Sequence, residues 1–547
     1  MIIRTNIVIL PTENKNVQDR LPCNRNTKEK ATSGKKMKKT LLSAALACAA
    51  ILSANAGGML TNTNQSVSFL RNPARDGAIG IDGVYSNPAG VAMMGEGKWL
   101  SVNWQAAWQT RTIQTTNPVF ELSKDFNGQP QEYEGKASAP FVPSVHAVWN
   151  KGRWSWQFNF SVTGGGGKCE FANGLGSFEG AVGQIAAGLR QFGIKAGLPS
   201  AMVTSGYDCN SYMQGKQYYF GFTLGTAYKV TDNFSVYGGI RILYGSASYK
   251  AKIDNIRVIT AANPDGVDFG QYYDQIKPYI TGAATQYEQA IATYARAGQE
   301  VPADIINGYT SVRKLQAVES YREGVNLQSD QSGVGFAPIL GADLKLNKFN
   351  FAVKYEFRTK MNMENKSTVK EAHAIDAVNQ FRDGTSIRED QPSLLSFGVQ
   401  YSPIDQVRIN AGYHHFYDKA AKKTYYKMNE VGVSTRYDNK NDMLKSGTNE
   451  YLGGAEWDVT KKLTVSGGFQ ITRYGNTDEY INDISFVVNS WSYGLGLKYQ
   501  ITDKVAVNAA YFKTCYDDYT TKVDETGIQN SFTRSNRVGA IGIDIAF

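Results

Sequence analysis

The sequence predicts an all-β protein, a 14-stranded antiparallel transmembrane β-barrel with helical extracellular loops. Three observations predict it. Apolar and polar residues alternate along many segments, the connections between these segments are alternately short and long, and the chain ends on a strand with one apolar face. Side chains of a membrane barrel point alternately to lipid and to the lumen, so every strand carries this two-residue period.

The alternation is clearest in three segments. Residues 99–111 read WLSVNWQAAWQTR, residues 154–163 read WSWQFNFSVT, and residues 349–358 read FNFAVKYEFR. Tryptophan collects on the apolar face, as expected at a membrane–water interface, where the ring is buried and its N–H stays wet. Seven of the eight tryptophans belong to this face: Trp104, Trp108, Trp149, Trp154, Trp156, Trp457 and Trp491.

The lengths of the connections separate a membrane barrel from a soluble sheet. Short junctions recur as VTDNF at 230–234, VTKKL at 459–463 and ITDKV at 501–505, whereas the longest connections span about 164–216 and 252–331. Short turns that alternate with long loops on an even number of strands are typical of outer-membrane barrels. The predicted strands are 99–113, 142–149, 153–163, 217–230, 234–251, 332–345, 349–362, 392–402, 406–418, 449–459, 462–474, 487–501, 504–514 and 535–547.

The last strand predicts how the barrel closes. Ile541, Ile543, Ile545 and Phe547 share one face, and small or polar residues lie between them. An unpaired apolar strand would invite aggregation, so we expect this strand to pair with the first and to leave no edge in lipid. A terminal phenylalanine on such a strand also resembles the signal read by the barrel assembly machinery, which makes that machinery an expected partner.

The N-terminal residues predict export from the cytoplasm. MKKTLLSAALACAAILSANA at 37–56 has a lysine pair, an apolar run and three small residues, the layout of a secretory signal peptide. We expect cleavage after Ala56 and interpret residues 1–36, which are polar, as a non-native or upstream extension. The predicted domains are therefore the extension (1–36), the signal peptide (37–56), an N-terminal hatch or plug (57–97) and the barrel (98–547).

Charge and motif content exclude several classes of function. The formal net charge is +9, but most of it belongs to residues 1–56, so no cationic surface for nucleic acid is expected on the remainder. No Gly-x-Ser-x-Gly, His-Glu-x-x-His, phosphate-loop or Cys-x-x-Cys motif occurs. We expect no enzyme activity, no cofactor and no metal, and a monomer in contact with outer-membrane lipid. Cys169 and Cys209, in one predicted loop, either form a disulfide or stay free.

The segment before the first strand carries the most specific pattern. Residues 74–94 read ARDGAIGIDGVYSNPAGVAMM and contain the element Asn87-Pro88-Ala89-Gly90. With this element the chain resembles the long-chain fatty acid transporter family of the outer membrane, FadL and its TodX-like, toluene-exporter-like relatives. The resemblance implies fourteen strands and a lumen plugged by the hatch. Further matches lie at 224–245, 352–361 and 391–413.

The resemblance also implies a function. Family members pass hydrophobic molecules, which are caught on extracellular loops, enter the plugged lumen and leave sideways near an inward kink of the third strand. We therefore expect passive uptake of hydrophobic small molecules such as long-chain fatty acids. The glycine run in 163–167 ends the predicted third strand, where it either permits such a bend or begins an ordinary loop.

Two groups of residues are candidate ligand contacts. An amphipathic stretch within 252–331 forms either a groove for the ligand or a face that packs against its own loop. Cationic side chains that face the lumen by strand parity either bind a carboxylate in a bidentate manner or pair with the barrel wall. The groove candidates are Ile276, Ile280, Tyr287 and Ile291, and the lumen candidates are Arg111, Arg241, Lys354, Arg358 and Arg408, of which we prefer Arg241 and Arg408.

Two other functions fit the same predicted fold. Such a barrel can serve as an interaction or assembly partner of a secretion system, which a stoichiometric co-purifying protein would indicate. His414, His415 and the 32 tyrosines also admit haem or another lipid as cargo, which a Soret band on haem titration would indicate.

Overall fold

The computed structural model describes residues 66–373, 375–428 and 434–547. The predicted extension (1–36), the predicted signal peptide (37–56) and the first part of the predicted hatch (57–65) lie outside the described residues. The described chain forms one closed antiparallel β-barrel of fourteen strands, which confirms the predicted fold class.

The strands follow one another around the wall in chain order, and two of them are interrupted. They are β1 (Gly97–Thr116), β2 (Gln131–Lys151), β3 (Trp154–Phe171), β4 (Thr204–Lys229), β5 (Phe234–Thr260), β6 (Val325–Leu346), β7 (Phe349–Glu356 and Asn362–Ser367), β8 (Ser386–Arg388 and Leu394–Ile404), β9 (Val407–Phe416), β10 (Thr448–Asp458), β11 (Leu463–Arg473), β12 (Ser490–Thr502), β13 (Val505–Tyr516) and β14 (Gln529–Ala546). Shorter strands are Val267–Asp268, Tyr425–Met428, Ser434–Tyr437 and Tyr519–Thr520.

Helices lie inside the barrel and in its loops. The α-helices are α1 (Val67–Arg71), α2 (Gly176–Lys195), α3 (Phe269–Arg296) and α4 (Ala303–Ala317). The 3-10 helices are Ile81–Val84, Gly90–Met94, Pro118–Leu122, Ser200–Met202, Val318–Tyr321, Asp376–Phe381, Asp418–Ala420 and Lys440–Met443.

The last strand closes the barrel against the first, as predicted. Trp99 of β1 is opposite Ala546 of β14, and the register continues without a shift to the pair Thr116 and Gln529. On its other side β14 pairs with β13. Because β14 has a neighbour on both sides, the apolar terminal strand leaves no open edge in lipid.

The outer surface of the wall is apolar. Trp104, Trp149 and Leu495 are 44%, 45% and 59% exposed, whereas the alternating polar residues, such as Asn103 and Ser492, are buried. A continuous apolar band of this kind is covered by lipid, and the protein is a multi-pass β-barrel of the outer membrane. In the part of the chain that the structure describes, no helix is long and apolar enough to cross a membrane.

Seven neighbouring strands, β14 and β1 to β6, have 18 residues or more, whereas β9 to β13 have 10 to 13. β4 has 26 residues and β5 has 27, whereas β9 has ten. These strands therefore extend into segments that the sequence predicted as loops. Their raised inner faces pack against α2, α3 and α4 in one apolar core, which includes Phe178, Tyr207 and Phe269.

The apolar face of α3, a candidate ligand groove, packs within its own loop, which is the second of the two alternatives that the sequence left open. Ile276 and Ile280 are fully buried in the loop core. Tyr287 lies against Gly308 of α4, where an added Cβ would come 2.3 Å from the tyrosine ring, and Ile291 is half-buried. The amphipathic face is covered by its own loop, because two helices that bury their apolar stripes against neighbouring elements leave no open groove.

Residues 66–96 lie inside the barrel, near the ends of the strands that carry the short turns. α1 and the two 3-10 helices that follow it are almost entirely buried. Ser66 Oγ accepts a hydrogen bond from the Phe69 amide at 3.1 Å and thereby begins α1. The Val67 amide donates to Oδ1 of the lumen-facing Asn103 at 3.1 Å. We refer to this described part, 66–96, as the hatch.

Candidate functional site

A cluster of buried charges joins the hatch to the wall. Glu456 of β10 lies 2.9 Å from Arg71 Nη1 and 3.0 Å from Arg75 Nη1, both in the hatch. Arg75 Nε is also 2.7 Å from Oδ2 of Asp82, another hatch residue. All four side chains are buried, so removal of one partner would leave charge uncompensated where water cannot replace it.

His414 of β9 forms a second link between hatch and wall. Its Nε2 is 2.9 Å from Oδ1 of the hatch residue Asp76, and its Nδ1 is 2.8 Å from Oε2 of Glu450 in β10. Both ring nitrogens lie within hydrogen-bond distance of a carboxylate, so the ring has a partner on each side. His414 is therefore occupied within the protein and is not free to bind haem. Among the described residues no cluster of histidine, cysteine, aspartate and glutamate could hold a metal ion.

The predicted hatch motif, Asn87–Gly90, is held by the wall. Asn87 Nδ2 donates to Oδ2 of Asp343 in β6 at 2.7 Å, and the Gly90 amide donates to Asn87 Oδ1 at 3.1 Å. Glycine is required at position 90 because an added Cβ would lie 2.4 Å from Asn87 Nδ2.

The two central residues of the motif are bound through their carbonyls. Gln157 Nε2 of β3 donates to Pro88 O at 2.7 Å, and Ser235 Oγ of β5 donates to Ala89 O at 2.7 Å. Three strands thus contact three consecutive hatch residues, Asn87, Pro88 and Ala89.

Arg241 and Lys354, two of the lumen candidates, surround the hatch residue Tyr85. Arg241 pairs with Glu356, and Lys354 Nζ is 2.8 Å from Glu356 Oε1 and donates to Tyr85 O at 2.7 Å. Both cations lie over the Tyr85 ring, at 5.0 Å and 4.9 Å from its centroid. Of the two alternatives for these cations, pairing with the barrel wall therefore applies to both Arg241 and Lys354, because the carboxylate of Glu356 in the wall compensates their charges.

Arg408 and Arg358 also have carboxylate partners in the wall. Arg408 donates two hydrogen bonds of 2.7 Å to Asp458, beside the short turn between β10 and β11. Arg358 lies in the interruption of β7, 3.7 Å from Asp390. A ligand is not needed to compensate either charge.

A row of glycines lets the backbone and the short side chains of the hatch lie directly on the wall. We call Gly398, Gly412, Gly454, Gly468 and Gly494 the glycine track; they lie on the consecutive strands β8 to β12. A Cβ at Gly398 would be 2.2 Å from the Gly77 amide nitrogen, and a Cβ at Gly494 would be 1.9 Å from Leu70 O. No side chain fits between hatch and wall at these positions, because protein interiors tolerate no such overlap.

Gly494→Ala is therefore expected to displace α1 from the wall. We expect the stability of the protein in lipid to fall by about 1–3 kcal/mol, the usual cost of overpacking, and the ionic conductance in planar bilayers to rise. Gly539→Ala is the matched control, because a Cβ there has nothing within 4 Å. Equal stability and conductance for both variants would show that the hatch does not rest on this glycine.

A cavity of about 160 Å³ lies directly above the hatch. Its floor includes Phe69 of α1 and Phe512 of β13, whose ring centroids are 6.1 Å apart. Its walls are partly apolar, with Val162 and Val538, and partly polar, with Gln470 and other side chains. This mixture suits a molecule with both apolar and polar parts.

Arg111, the remaining lumen candidate, lies beside a second arginine, Arg534, which lines this cavity. Arg111 of β1 and Arg534 of β14 are directly opposite in the strand pairing, and both face the lumen by parity. Arg534 lines the cavity, lies 4.9 Å over the Tyr516 ring, and makes only long contacts, 3.4 Å to Gln109 Oε1 and 3.5 Å to a carbonyl.

This arginine pair has no carboxylate partner among the described residues, and the Nε atoms of both are buried without a hydrogen bond. Two like charges side by side and uncompensated indicate a place for an anion. Sequence analysis missed Arg534, although the parity of the last strand puts it on the lumen side together with Phe532 and Val538.

A second, smaller cavity of about 80 Å³ lies above Tyr85. Its charged lining residues are mostly paired; for example, Lys423 Nζ lies 2.7 Å from Glu389 Oε1. This polar, internally compensated chamber contrasts with the cavity that Arg534 lines.

The ladder between β2 and β3 is irregular over one stretch. The two strands pair from Lys151 and Trp154 to Val145 and Phe160, and again from Ser138 and Lys168. The register of the two strands is irregular between Ser138 and Val145, and we call this region, residues 139–144 and 161–167, the wall gap. Val142 and Val162 line the cavity at its two sides. Val162 is only 5% exposed, although by alternation with Trp154 and Trp156 it should face lipid, so β3 bends inward here.

Cys169 and Cys209 are free thiols in the structure, the second of the two alternatives that the sequence left open. Cys169 is opposite Gly215 of β4, six residues from Cys209. At about 3.3 Å per strand residue this separation is roughly 20 Å, far beyond the reach of a disulfide. The sequence placed both in one loop, but the extended β3 and β4 carry them to different heights.

No protein-family model and no curated protein matches the sequence. Solved structures do match it. A FadL homologue from Pseudomonas aeruginosa aligns with 89% of this chain and 99% of its own at 13% identity, with a TM-score of 0.56. Two variants of TodX, a monoaromatic hydrocarbon channel, align with TM-scores of 0.50: the deltaS2S3 variant over 88% of this chain and 99% of its own at 12% identity, and the deltaS2 variant over 89% and 99% at 13% identity. The chain therefore has the FadL/TodX-type barrel fold.

Proposed function

We propose that this FadL-type barrel carries hydrophobic small molecules across the outer membrane by passive diffusion, and that its preferred cargo is an amphipathic anion such as a long-chain fatty acid. The observation that carries the finer proposal is the arginine pair Arg111 and Arg534, of which Arg534 lines a partly apolar cavity. A neutral hydrocarbon would give this pair no counter-charge, whereas a carboxylate binds guanidinium groups with two parallel hydrogen bonds.

The other lumen cations support the assignment by contrast. Arg241, Lys354 and Arg408 are compensated by Glu356 and Asp458. A buried cation that lacks a partner is costly, so a site that keeps two of them is best explained by an external anion.

The route follows from the arrangement of cavity, hatch and wall gap. The ligand enters from the side of the long loops, its acidic group reaches the arginine pair, and its chain occupies the cavity above Phe69. The hatch blocks the direct path through the lumen, and the wall gap offers a lateral exit into lipid, where a hydrophobic molecule is stable.

The test is direct binding to the purified protein in detergent or lipid. We expect saturable binding of a long-chain fatty acid, weaker binding of the alkane of equal chain length, and an amphipathic lipid among the small molecules that co-purify, identified by mass spectrometry. We also expect almost no steady ionic conductance in planar bilayers. An open pore, or equal affinity for acid and alkane, would contradict the proposal.

A further inference from the structure

We infer that the outer surface of the barrel holds a binding site for a phosphate-bearing lipid of the outer leaflet, formed by Lys513 of β13 and Arg537 of β14. This site lies on the face of the wall that points away from the lumen. The inference therefore goes beyond the proposed transport and does not depend on it.

The site begins with two like charges side by side. Lys513 and Arg537 are directly opposite each other in the pairing of β13 and β14, and both side chains are exposed. They share the strand face of the lipid-facing residues Tyr511 and Ile541, which are 45% and 52% exposed. Side chains directly opposite on one face of an antiparallel pair have Cβ atoms about 5 Å apart, and like charges there destabilise the pair.

No carboxylate compensates this pair. Among the residues that the structure describes, neither Lys513 nor Arg537 forms an ion pair. The outward lysines of two nearby strands differ in this respect, because Lys136 of β2 and Lys168 of β3 lie 3.2 Å and 2.6 Å from glutamates two residues away. On this surface a local carboxylate accompanies the other two cations, whereas the Lys513–Arg537 pair is open to an external anion.

The pair lies where the lipid-facing surface of the barrel ends. Along β14, Ile541 and Ile543 are exposed on the side of the short turns, and the exposed residue beyond Arg537 is the polar Ser535. Arg537 precedes Phe547 by ten positions, a distance of about 33 Å along a strand. At a strand tilt of about 40° this is roughly 25 Å of height, the height of the apolar band of an outer-membrane barrel. The two cations are therefore level with the headgroups of the outer leaflet.

Aromatic side chains around the pair indicate the same level. The Arg537 guanidinium lies 5.9 Å from the centroid of the Trp108 ring in β1, and Lys513 is opposite Tyr493 of β12. Trp108 and Trp491 are 44% and 48% exposed. Tryptophan and tyrosine collect at the membrane–water interface of barrels. The pair therefore faces the bilayer sideways, and the anion that it meets there belongs to a lipid headgroup.

Hydroxyl groups beside the cations favour a phosphate. Ser535 of β14 and Thr110 of β1 are opposite in the strand pairing, and their hydroxyl oxygens are 2.6 Å apart. Ser535 lies two positions from Arg537 on the same face of β14. A phosphate has several acceptor oxygens, so it can accept from a guanidinium, an ammonium and a hydroxyl together, whereas a carboxylate offers only two oxygens.

The test measures lipid binding by the purified protein in phosphatidylcholine nanodiscs that contain diphosphoryl lipid A as the phosphate-bearing probe. Lys513→Gln and Arg537→Gln are each expected to lower the affinity for lipid A about fivefold, and together about 30-fold, the effect of one and of two basic side chains at an anionic lipid surface. Lys513→Arg keeps the charge and should bind as the native protein does. Native mass spectrometry of the protein with bound lipid A gives these affinities, and an unchanged affinity in the double variant would overturn the inference.

A matched double variant separates a site from general charge attraction. Lys136→Gln with Lys168→Gln also removes two outward cations, but these lysines have glutamate partners, so the affinity for lipid A should stay at the native level. An equal loss in both double variants would show that net charge alone attracts the lipid, which would overturn the inference.

The ligand supplies a further test that needs no variant. Lipid A from which a phosphatase has removed the phosphates should bind the native protein as weakly as intact lipid A binds the double variant. Inorganic phosphate should not displace intact lipid A. Equal binding of the dephosphorylated lipid would refute phosphate recognition, and displacement by inorganic phosphate would assign the site to free phosphate and refute the lipid as its ligand.

Discussion

Arg111→Ala and Arg534→Ala are each expected to weaken the binding of a long-chain fatty acid by about 1.5–3 kcal/mol, the usual worth of a hydrogen bond to a charged group. At 1.4 kcal/mol per factor of ten, this corresponds to a roughly 10- to 100-fold increase in Kd. The alkane of equal length should bind nearly as before, because neither side chain contributes the apolar lining of the cavity. Binding of both ligands to purified native and variant protein would measure the difference.

Two matched controls make this result specific. Arg537→Ala removes an arginine from the same strand, but Arg537 lies 5.9 Å over Trp108 on the outer surface, so fatty-acid binding should not change. Arg408→Ala removes a lumen cation that Asp458 already compensates, and it too should spare binding. Equal loss for acid and alkane in Arg534→Ala would mean that the arginine shapes the cavity without binding the carboxylate.

Glu456→Gln is expected to release the hatch. The change leaves Arg71 and Arg75 without the carboxylate that lies 2.9 and 3.0 Å from them, and loss of one partner from a buried ion pair costs about 3–5 kcal/mol. We expect a rise in ionic conductance, faster proteolysis of the segment around residues 66–96, and a lower midpoint in denaturant unfolding. The same substitution in an exposed pair, Glu134→Gln beside Lys136, should change none of these measurements, since surface pairs contribute little.

A hatch that stays protected in Glu456→Gln would show that the remaining contacts suffice. Those contacts are considerable: His414 binds Asp76, Asn87 binds Asp343, and the glycine track lies against the hatch backbone. Combining Glu456→Gln with Gly494→Ala would then separate the charged link from the backbone contact, because the two sites act on different hatch residues.

The sequence by itself determined the wall. The alternation of apolar and polar residues is a local property with a period of two. The short turns and the apolar last strand can likewise be recognised within a few residues. These local patterns therefore predicted the number of strands, the tryptophans that face lipid and the closure of the barrel by β14. The ends of the strands on the loop side could not be predicted in this way. Above the membrane the outer face of the barrel meets water, so apolar and polar residues no longer alternate clearly. For the same reason the segments with Cys169 and Cys209 were predicted as one loop.

Only the tertiary structure decided which charges have partners. Parity put Arg111, Arg241 and Arg408 in the lumen, but each partner comes from elsewhere in the chain: Glu356 lies 115 residues from Arg241, and Arg534 is joined to Arg111 only by closure of the barrel. The preference for Arg241 and Arg408 as ligand contacts therefore could not be tested on the sequence. The sequence indicates whether a side chain points to lipid or to the lumen, but it does not indicate which other side chain lies next to it. The inward bend of β3 depends likewise on its register against β2 and β4, a relation between strands that no local pattern contains.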